Sequence, residues 1–410
     1  MFFAFELNFT EKQFVMNLYP NDDTVSFIAQ HRHEKVHDLA LQASRFKEVD
    51  MPFALQQIAG WQTACQKLPR WSNTEGVLYP PHLSMEQCSS EPTALYKAEV
   101  AGKGESFADL TGGFGVDASY ISAGFRQALY VERNELLCEL ARHNFPLLGC
   151  GHVEVHNVEA ETFLQTMKPV TCLFLAPARR DSHGGKTVAI SDCTPDVSAL
   201  NELLLQKAET VMIKLSPMLD ITLALKDLPA VYEVHVVSVN NECKELLLLM
   251  SGKPVHERRF HCINLTSRGR QSFSFTPEDE MRAQCTFVSE IRHYLYEPNS
   301  SLLKAGAFRS LAAHYQIEKL HPNSHLYTSD TLYEDFPGRI FEVKETVGFK
   351  KKELKEMMAS LKQANLTVRN FPASVAELRK RFRLAEGGNI YLFATTLYDE
   401  SKVIVKCEKI

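Results

Sequence analysis

Phe107-Ala108-Asp109-Leu110-Thr111-Gly112-Gly113-Phe114-Gly115-Val116-Asp117 is the stretch from which the fold can be read. Residues 106–110 have the character of a buried strand, which delivers Asp109 to its C-terminal end. Three glycines follow, permitting positive φ and close approach of a ligand, and residues 116–122 open a helix. In open α/β sheets, ligands bind at this carboxyl edge, where the strand order reverses.

Two ligand classes compete for such a turn. Gly113-Phe114-Gly115-Val116-Asp117-Ala118 matches the dinucleotide pattern G-x-G-x-x-A. A pyrophosphate, however, needs backbone N–H groups and no adjacent anion, and Asp109 and Asp117 flank this turn. Carboxylates suit a ligand carrying positive charge, such as the ammonium and sulfonium of S-adenosylmethionine. Glu132 ends the next strand, 17 residues past Gly115, where an acid can bond both ribose hydroxyls. Glu159 follows the third strand and could meet an adenine amino group or stand as the N-cap of the next helix; the residues leave both open. The candidate cofactor set is Asp109, Thr111, Gly112, Gly113, Phe114, Gly115, Asp117, Glu132, Arg133, Glu159, Ala160 and Ala176. A nucleotide-dependent dehydrogenase is the weaker reading, since no hydride-transfer site accompanies the turn.

Outward from the turn, short β runs alternate with helical periods. Strands are expected over 128–131, 153–156, 170–175, 211–215 and 234–239, with a helix over 134–145 whose Leu136, Leu137, Leu140 and Ala141 share a face. This alternation predicts a mainly parallel, doubly wound sheet, because parallel neighbours need crossover connections. The first 85 residues read as helical and irregular, with helices over 11–18, 26–46 and 54–67. Residues 299–307 and 321–329 read as loop-rich joints. The tail reads βαβαββ: strands over 339–343, 366–371, 390–397 and 403–407, helices over 351–364 and 374–384. Ser374-Val375-Ala376-Glu377 fits a capping box at the start of the second helix.

Leu173-Phe174-Leu175-Ala176-Pro177-Ala178-Arg179-Arg180-Asp181 follows the fourth strand. Here the sequence resembles a bacterial family of class I S-adenosylmethionine-dependent methyltransferases with a C-terminal THUMP-like domain. The resemblance is carried by Asp109 to Asp117, by Glu86-Gln87-Cys88-Ser89-Ser90-Glu91 and by Pro177 to Arg180. It continues through Asp192-Cys193-Thr194-Pro195-Asp196, Lys214-Leu215-Ser216-Pro217-Met218-Leu219-Asp220 and Asn241-Glu242-Cys243-Lys244-Glu245-Leu246. Lys304-Ala305-Gly306-Ala307, Arg369-Asn370-Phe371-Pro372 and Gly387-Gly388 complete it. It implies an α/β fold: a Rossmann-like methyltransferase domain over 86–275 after the helical region 1–85, a small ferredoxin-like connecting domain over 276–324 and a THUMP-like domain over 325–410. It also implies S-adenosylmethionine as cofactor, methyl transfer to RNA at a base nitrogen of tRNA or rRNA, and an acceptor end built from Pro177, Arg179, Arg180 and Asp181. One position departs: Ala176 stands where the family pattern has Asp before Pro-Ala-Arg-Arg. That removes a carboxylate from the acceptor end and motivates a second reading, an RNA-binding protein that holds the cofactor but is catalytically silent. Methylation of a substrate other than RNA is a third.

The partner expectation is structured RNA. Residues 341–410 carry 14 Lys/Arg against 9 Asp/Glu, whereas the chain as a whole has a net charge of −5. A basic tail on an acidic body suits a module that attracts a polyanion. Arg369, Arg379, Lys380, Arg381 and Arg383 are the candidate RNA contacts, joined by the run Lys350-Lys351-Lys352; a solvated helix face is the competing reading of such runs. Tyr79, Phe114 and Tyr120 are the aromatic candidates for stacking on an unstacked base, although core packing suits them better.

Composition bounds the rest. At 45% apolar and 23% charged, the chain is globular. Its longest aliphatic run, residues 246–250, is far short of the roughly 20 residues that cross a bilayer, and the first residues lack the pattern of a signal peptide. Ten cysteines without a Cys-x-x-Cys pair read as reduced thiols of a cytoplasmic protein and supply no cysteine-based zinc motif; no metal and no membrane partner is expected.

Overall fold

The computed structural model describes residues 20–179, 190–359 and 361–410; the helix expected over 11–18 lies outside them. The chain divides into two compact units, Met1–Val231 with Leu248–Pro254, and Tyr232–Leu247 with Val255–Ile410.

The first unit begins with helices whose starts are written in the sequence. Asn21 accepts the N–H of Thr24 to cap Asp22–His31, and Asp50 accepts that of Phe53 to cap Met51–Lys67. The stretch expected as one helix over 26–46 is broken into Asp22–His31, Val36–Leu41 and a 3₁₀ turn at Ala43–Arg45. Phe27, Leu39, Met51, Ala54 and Ile58 bury their side chains together.

The parallel strands of this unit are β1 (Gly104–Asp109), β2 (Phe125–Glu132), β3 (Val153–Asn157), β4 (Val170–Leu175) and β7 (Ala208–Leu215), in the order β7-β4-β1-β2-β3. Two short strands, β5 (Ala178–Arg179) and β6 (Cys193–Thr194), pair antiparallel beyond the end of β4. β1 pairs parallel with both β2 and β4. The chain therefore builds outward from β1 to β3 on one side and then restarts on the other at β4. The carboxyl end of β1 is the switch point, and the glycine turn leaves from it.

β8 (Val231–Val239), in the second unit from Tyr232, leads through Asn240 and Asn241, at φ 49 and 66, into β9 (Glu242–Met250), which belongs to the second unit as far as Leu247. β10 (Arg259–Thr266) lies parallel to β8 and antiparallel to β11 (Gly269–Phe275). β10 and β11 lie beyond the strands read from the sequence; only Ser267 and Arg268 join them, and so short a connection can link only antiparallel strands.

The remaining strands form one seven-stranded sheet: β12 (Tyr294–Pro298), β13 (Glu318–Lys319), β14 (Tyr327–Ser329), β15 (Gly338–Gly348), β16 (Asn365–Arg369), β17 (Ile390–Thr396) and β18 (Lys402–Lys409), in the order β13-β14-β12-β15-β18-β17-β16. Its two faces follow the two-residue period of a strand. Phe341, Phe393 and Val405 bury on one face, and Leu392, Ala394 and Ile404 on the other against Leu354, Met357 and Leu378. The strands of the βαβαββ tail continue into a larger sheet, since β12 pairs along β15 and covers an edge that would otherwise be open. Residues 299–307, expected as loop, hold the helix Ser300–Ala305, capped by Asn299 accepting from Ser301 and Leu302. The capping box at Ser374 and Glu377 is present. The preceding helix stops at Met358, short of residue 364, because Ala364 donates its N–H to the Ala385 carbonyl and the chain is drawn towards β16. Among the described residues, no helix is long and apolar enough to cross a membrane, and all ten cysteines are free thiols.

Candidate functional site

The turn after β1 is held open on one side and closed on the other. Asp109 is 1% exposed. Its Oδ1 accepts the Thr111 N–H at 3.0 Å, while Oδ2 is buried and, among the described residues, accepts no hydrogen bond. Burial pushes its carboxyl up to about 8, opposed by the Thr111 bond and helped by the neighbouring charge of Asp117. Thr111 in turn accepts the Ala176 N–H on its Oγ1 at 2.6 Å, which ties the ends of β1 and β4 together.

The glycines are required by space as well as by backbone. A Cβ on Gly112 would sit 2.1 Å from Cε2 of Tyr130. Gly115 has φ +86 and faces Phe145, whose ring would lie 2.9 Å from its Cβ. Glu132, at the end of β2, accepts the Gly113 N–H on Oε2 and the Asn134 N–H on Oε1, both at 2.9 Å. Each carboxylate oxygen keeps a further lone pair.

Asp117 does not stand as the open anion that the sequence suggests. Its Oδ1 lies 3.2 Å from Nζ of the fully buried Lys97, and its Oδ2 accepts from Ser89 Oγ at 2.8 Å and Lys214 Nζ at 3.3 Å. Burial by itself would raise this carboxyl, but the two ammonium groups and the Ser89 bond hold it below the usual range. A carboxylate this deep needs such partners. The carboxyl groups left to receive a cation are therefore Glu132 and Asp109, the latter giving up its proton as the cation arrives. Lys97, Lys214 and Ser89 are the residues that sequence reasoning passed over. Lys214 did carry a signal: a cation next to the last position of an apolar strand that ends at the same sheet edge as Asp109.

Together these groups line a cavity of about 250 Å³, with Thr111, Gly112, Gly113, Phe114 and Gly115 in its wall. Arg133, Glu159, Ala160, Ala176 and Ala178 also line it, with Thr194, Pro195 and Lys214. Glu159 takes the N-cap position of the helix Ala160–Thr166, yet its side chain makes no capping bond and instead lies 4.0 Å from Arg133. Of the acceptor-end candidates, Pro177 follows β4 and Arg179 contributes its backbone to β5; Arg180 and Asp181 lie outside the described residues. Tyr79, Phe114 and Tyr120 are buried, with Phe114 packed 4.6 Å from the Trp71 ring, so all three are core.

The basic candidates of the tail separate. Arg369 forms ion pairs with Glu297, which is 1% exposed and also holds Arg339. Arg379 lies 3.5 Å from Glu386 and donates to the Ala364 carbonyl. Lys380, Arg381 and Arg383 are exposed, and the Arg381 guanidinium stacks 4.4 Å over the Phe349 ring, beside the run that begins at Lys350. The two basic segments therefore meet on one surface.

The strand order, with a glycine turn and a cavity at the carboxyl ends of β1 and β2, defines a Rossmann-like domain of the class I methyltransferase type. Residues 294–337 match the model of a ferredoxin-like domain and residues 338–409 that of a THUMP domain-like family. A provisionally assigned methyltransferase from Porphyromonas gingivalis W83 shares 34% identity over 98% of this chain and 99% of its own, with a TM-score of 0.85. The chain belongs to the family of class I methyltransferases that carry a C-terminal THUMP-like domain. More distant overlaps include an rRNA methylase from Streptococcus thermophilus (14% identity, 39% of this chain and 94% of that one, TM-score 0.30). Another is a provisionally assigned methyltransferase from Streptococcus mutans in complex with SAH (14%, 39% and 95%, TM-score 0.29). No curated protein matches the chain.

Proposed function

We propose that the protein is an S-adenosylmethionine-dependent methyltransferase that modifies structured RNA at a base nitrogen in the cytoplasm. The observation that carries this is the buried, unpartnered Oδ2 of Asp109 beside a glycine turn with no room for side chains. An orphaned buried acceptor is costly unless a ligand meets it, and an ammonium group is suited to do so. The residues present fit this cofactor: Asp109 for its ammonium, the backbone of Gly112 to Gly115 along its length, Glu132 for the ribose and Glu159 for the adenine. When bound, the cofactor supplies an electrophilic methyl on a sulfonium. The chain then has to hold the acceptor in line and exclude water, and positioning of that kind is worth about 7–11 kcal/mol at most. Pro177, Arg179, Arg180 and Asp181 are the proposed acceptor segment.

RNA as substrate class is supported by the THUMP domain-like match and by the exposed cluster Lys380, Arg381 and Arg383 near Lys350 to Lys352. Within this reading the working division remains 1–85, 86–275, 276–324 and 325–410. Incubating the protein with tritiated S-adenosylmethionine and total RNA from a strain lacking the gene, followed by nucleoside identification, tests it. Label in one methylated base supports the proposal, and cofactor binding without any labelled RNA refutes its second half.

One observation favours a second reading. Ala176 leaves the end of β4 without the carboxylate of the family pattern, as a cofactor-binding but silent RNA-binding protein would require. Wild-type activity on RNA that is not improved by Ala176→Asp dismisses it, and activity appearing only in the variant establishes it.

A further inference from the structure

A second group of chemistry-bearing side chains lies outside the cavity. Glu233 and His235 stand two residues apart on β8 and so share one face of the sheet. The parallel register of β10 on β8 sets His261 directly beside His235, and the two imidazoles stack with centroids 4.6 Å apart. Glu233 Oε2 lies 3.2 Å from His235 Nε2, and Glu233 Oε1 lies 4.0 Å from His261 Nε2. One ligating atom from each residue falls within 4.8 Å of the others, the one such trio among the described residues.

We propose that Glu233, His235 and His261 bind a divalent transition-metal ion of the zinc class, which would link β8 to β10. His261 Nε2 is buried and accepts or donates no hydrogen bond among the described residues, so this nitrogen is left without a partner. Its other nitrogen, Nδ1, lies 2.8 Å from Ser274 Oγ on β11. That is the outer contact a metal-bound imidazole uses to fix its tautomer. The trio thus presents two imidazoles and one carboxylate to a common point. The nearby cation Arg259 turns its guanidinium to Glu257, 3.0 Å away. Ligand atoms on a tetrahedral ion bonded at about 2.0–2.2 Å stand about 3.3 Å apart, so small side-chain rotations close this trio. Mixed imidazole and carboxylate ligands suit zinc.

The full-length protein, stripped with EDTA and exchanged into chelator-free buffer, is titrated calorimetrically with ZnCl₂. The expected result is one ion per chain, lost in both Glu233→Gln and His261→Gln, with binding weakened about 10-fold in Ser274→Ala. No stoichiometric binding by the wild type overturns the proposal, as does undiminished binding in Glu233→Gln, a near-isosteric change that carries the test should His261→Gln fail to fold. Ten free cysteines could also take zinc. A Co²⁺ spectrum distinguishes the two: d–d bands without thiolate charge transfer are expected, and thiolate bands on the bound ion overturn the assignment.

Discussion

Gly113 donates its backbone N–H to Glu132 Oε2 at 2.9 Å, so the end of β2 holds the glycine turn that leaves β1. One carboxylate shapes the loop and, in the proposed function, also receives the ribose. Charged hydrogen bonds of this kind are worth about 1.5–3 kcal/mol each. Glu132→Ala is therefore expected to weaken S-adenosylmethionine binding at least about 10-fold by calorimetry, with a smaller loss in Glu132→Gln. Wild-type affinity in the alanine variant would remove Glu132 from the site.

The carboxyl of Asp109, at about 8 in the free protein, couples binding to pH. A cationic group arriving at Oδ2 favours the ionised form, so binding below pH 8 releases a proton. Affinity is then expected to rise with pH by up to about tenfold per unit and to level off near 8. The sign for stability is opposite. The folded chain holds this proton between the ordinary 3.8 and about 8 while the unfolded chain does not, so the contribution of Asp109 to stability falls as pH rises across that window. Asp109→Asn should abolish both slopes, giving a chain that melts higher than wild type near pH 8 but binds the cofactor poorly. Calorimetry and melting curves from pH 6 to 9 read both.

Gly112→Ala places a methyl 2.1 Å from the Tyr130 ring, which is itself fully buried. Overpacking of this sort costs about 1–3 kcal/mol. Urea denaturation should show that loss, and cofactor affinity should fall with it because the ring can yield only by moving the turn.

The buried Glu297 of the second unit holds two half-buried cations, Arg339 and Arg369. Glu297→Ala removes the shared partner of two cations that are each about a third exposed, and should destabilise the protein by about 1.5–3 kcal/mol in chemical denaturation, the range of charged hydrogen bonds. Arg369→Ala belongs with this structural class and should act on stability before it acts on RNA.

The exposed residues behave differently. Arg383→Ala and Lys380→Ala should leave melting unchanged and lower RNA affinity. Each phosphate that a variant no longer neutralises reduces the salt slope by about 0.7 on single strands to 0.9 on duplex. Binding to a structured RNA at several salt concentrations measures this, and an unchanged slope in the double variant would assign the cluster to a solvated surface.

Much of the site was legible because its demands are local. A strand ending in Asp109, three glycines and a helix is a pattern that backbone sterics write into adjacent residues, and the cap at Ser374 is of the same kind. Asp117 was misjudged in its charge because its partners, Lys97 and Lys214, lie 20 and 97 residues away in the chain. Arg369 reads as a free cation until Glu297 is seen beneath it.

The sequence by itself determined the Rossmann-like alternation, the place of the glycine turn at the sheet's carboxyl edge and the family, because each rests on periodicity, turn chemistry or contiguous strings. Only the tertiary structure decided which charges remain available: Asp109 with one oxygen unpartnered, Asp117 paired with two ammonium groups, Arg369 held in an ion pair with Glu297, and His235 aligned with His261 by strand register. The physical reason is that electrostatics and coordination act through space at a few ångströms, and chain separation carries almost no information about that distance until the sheets are assembled.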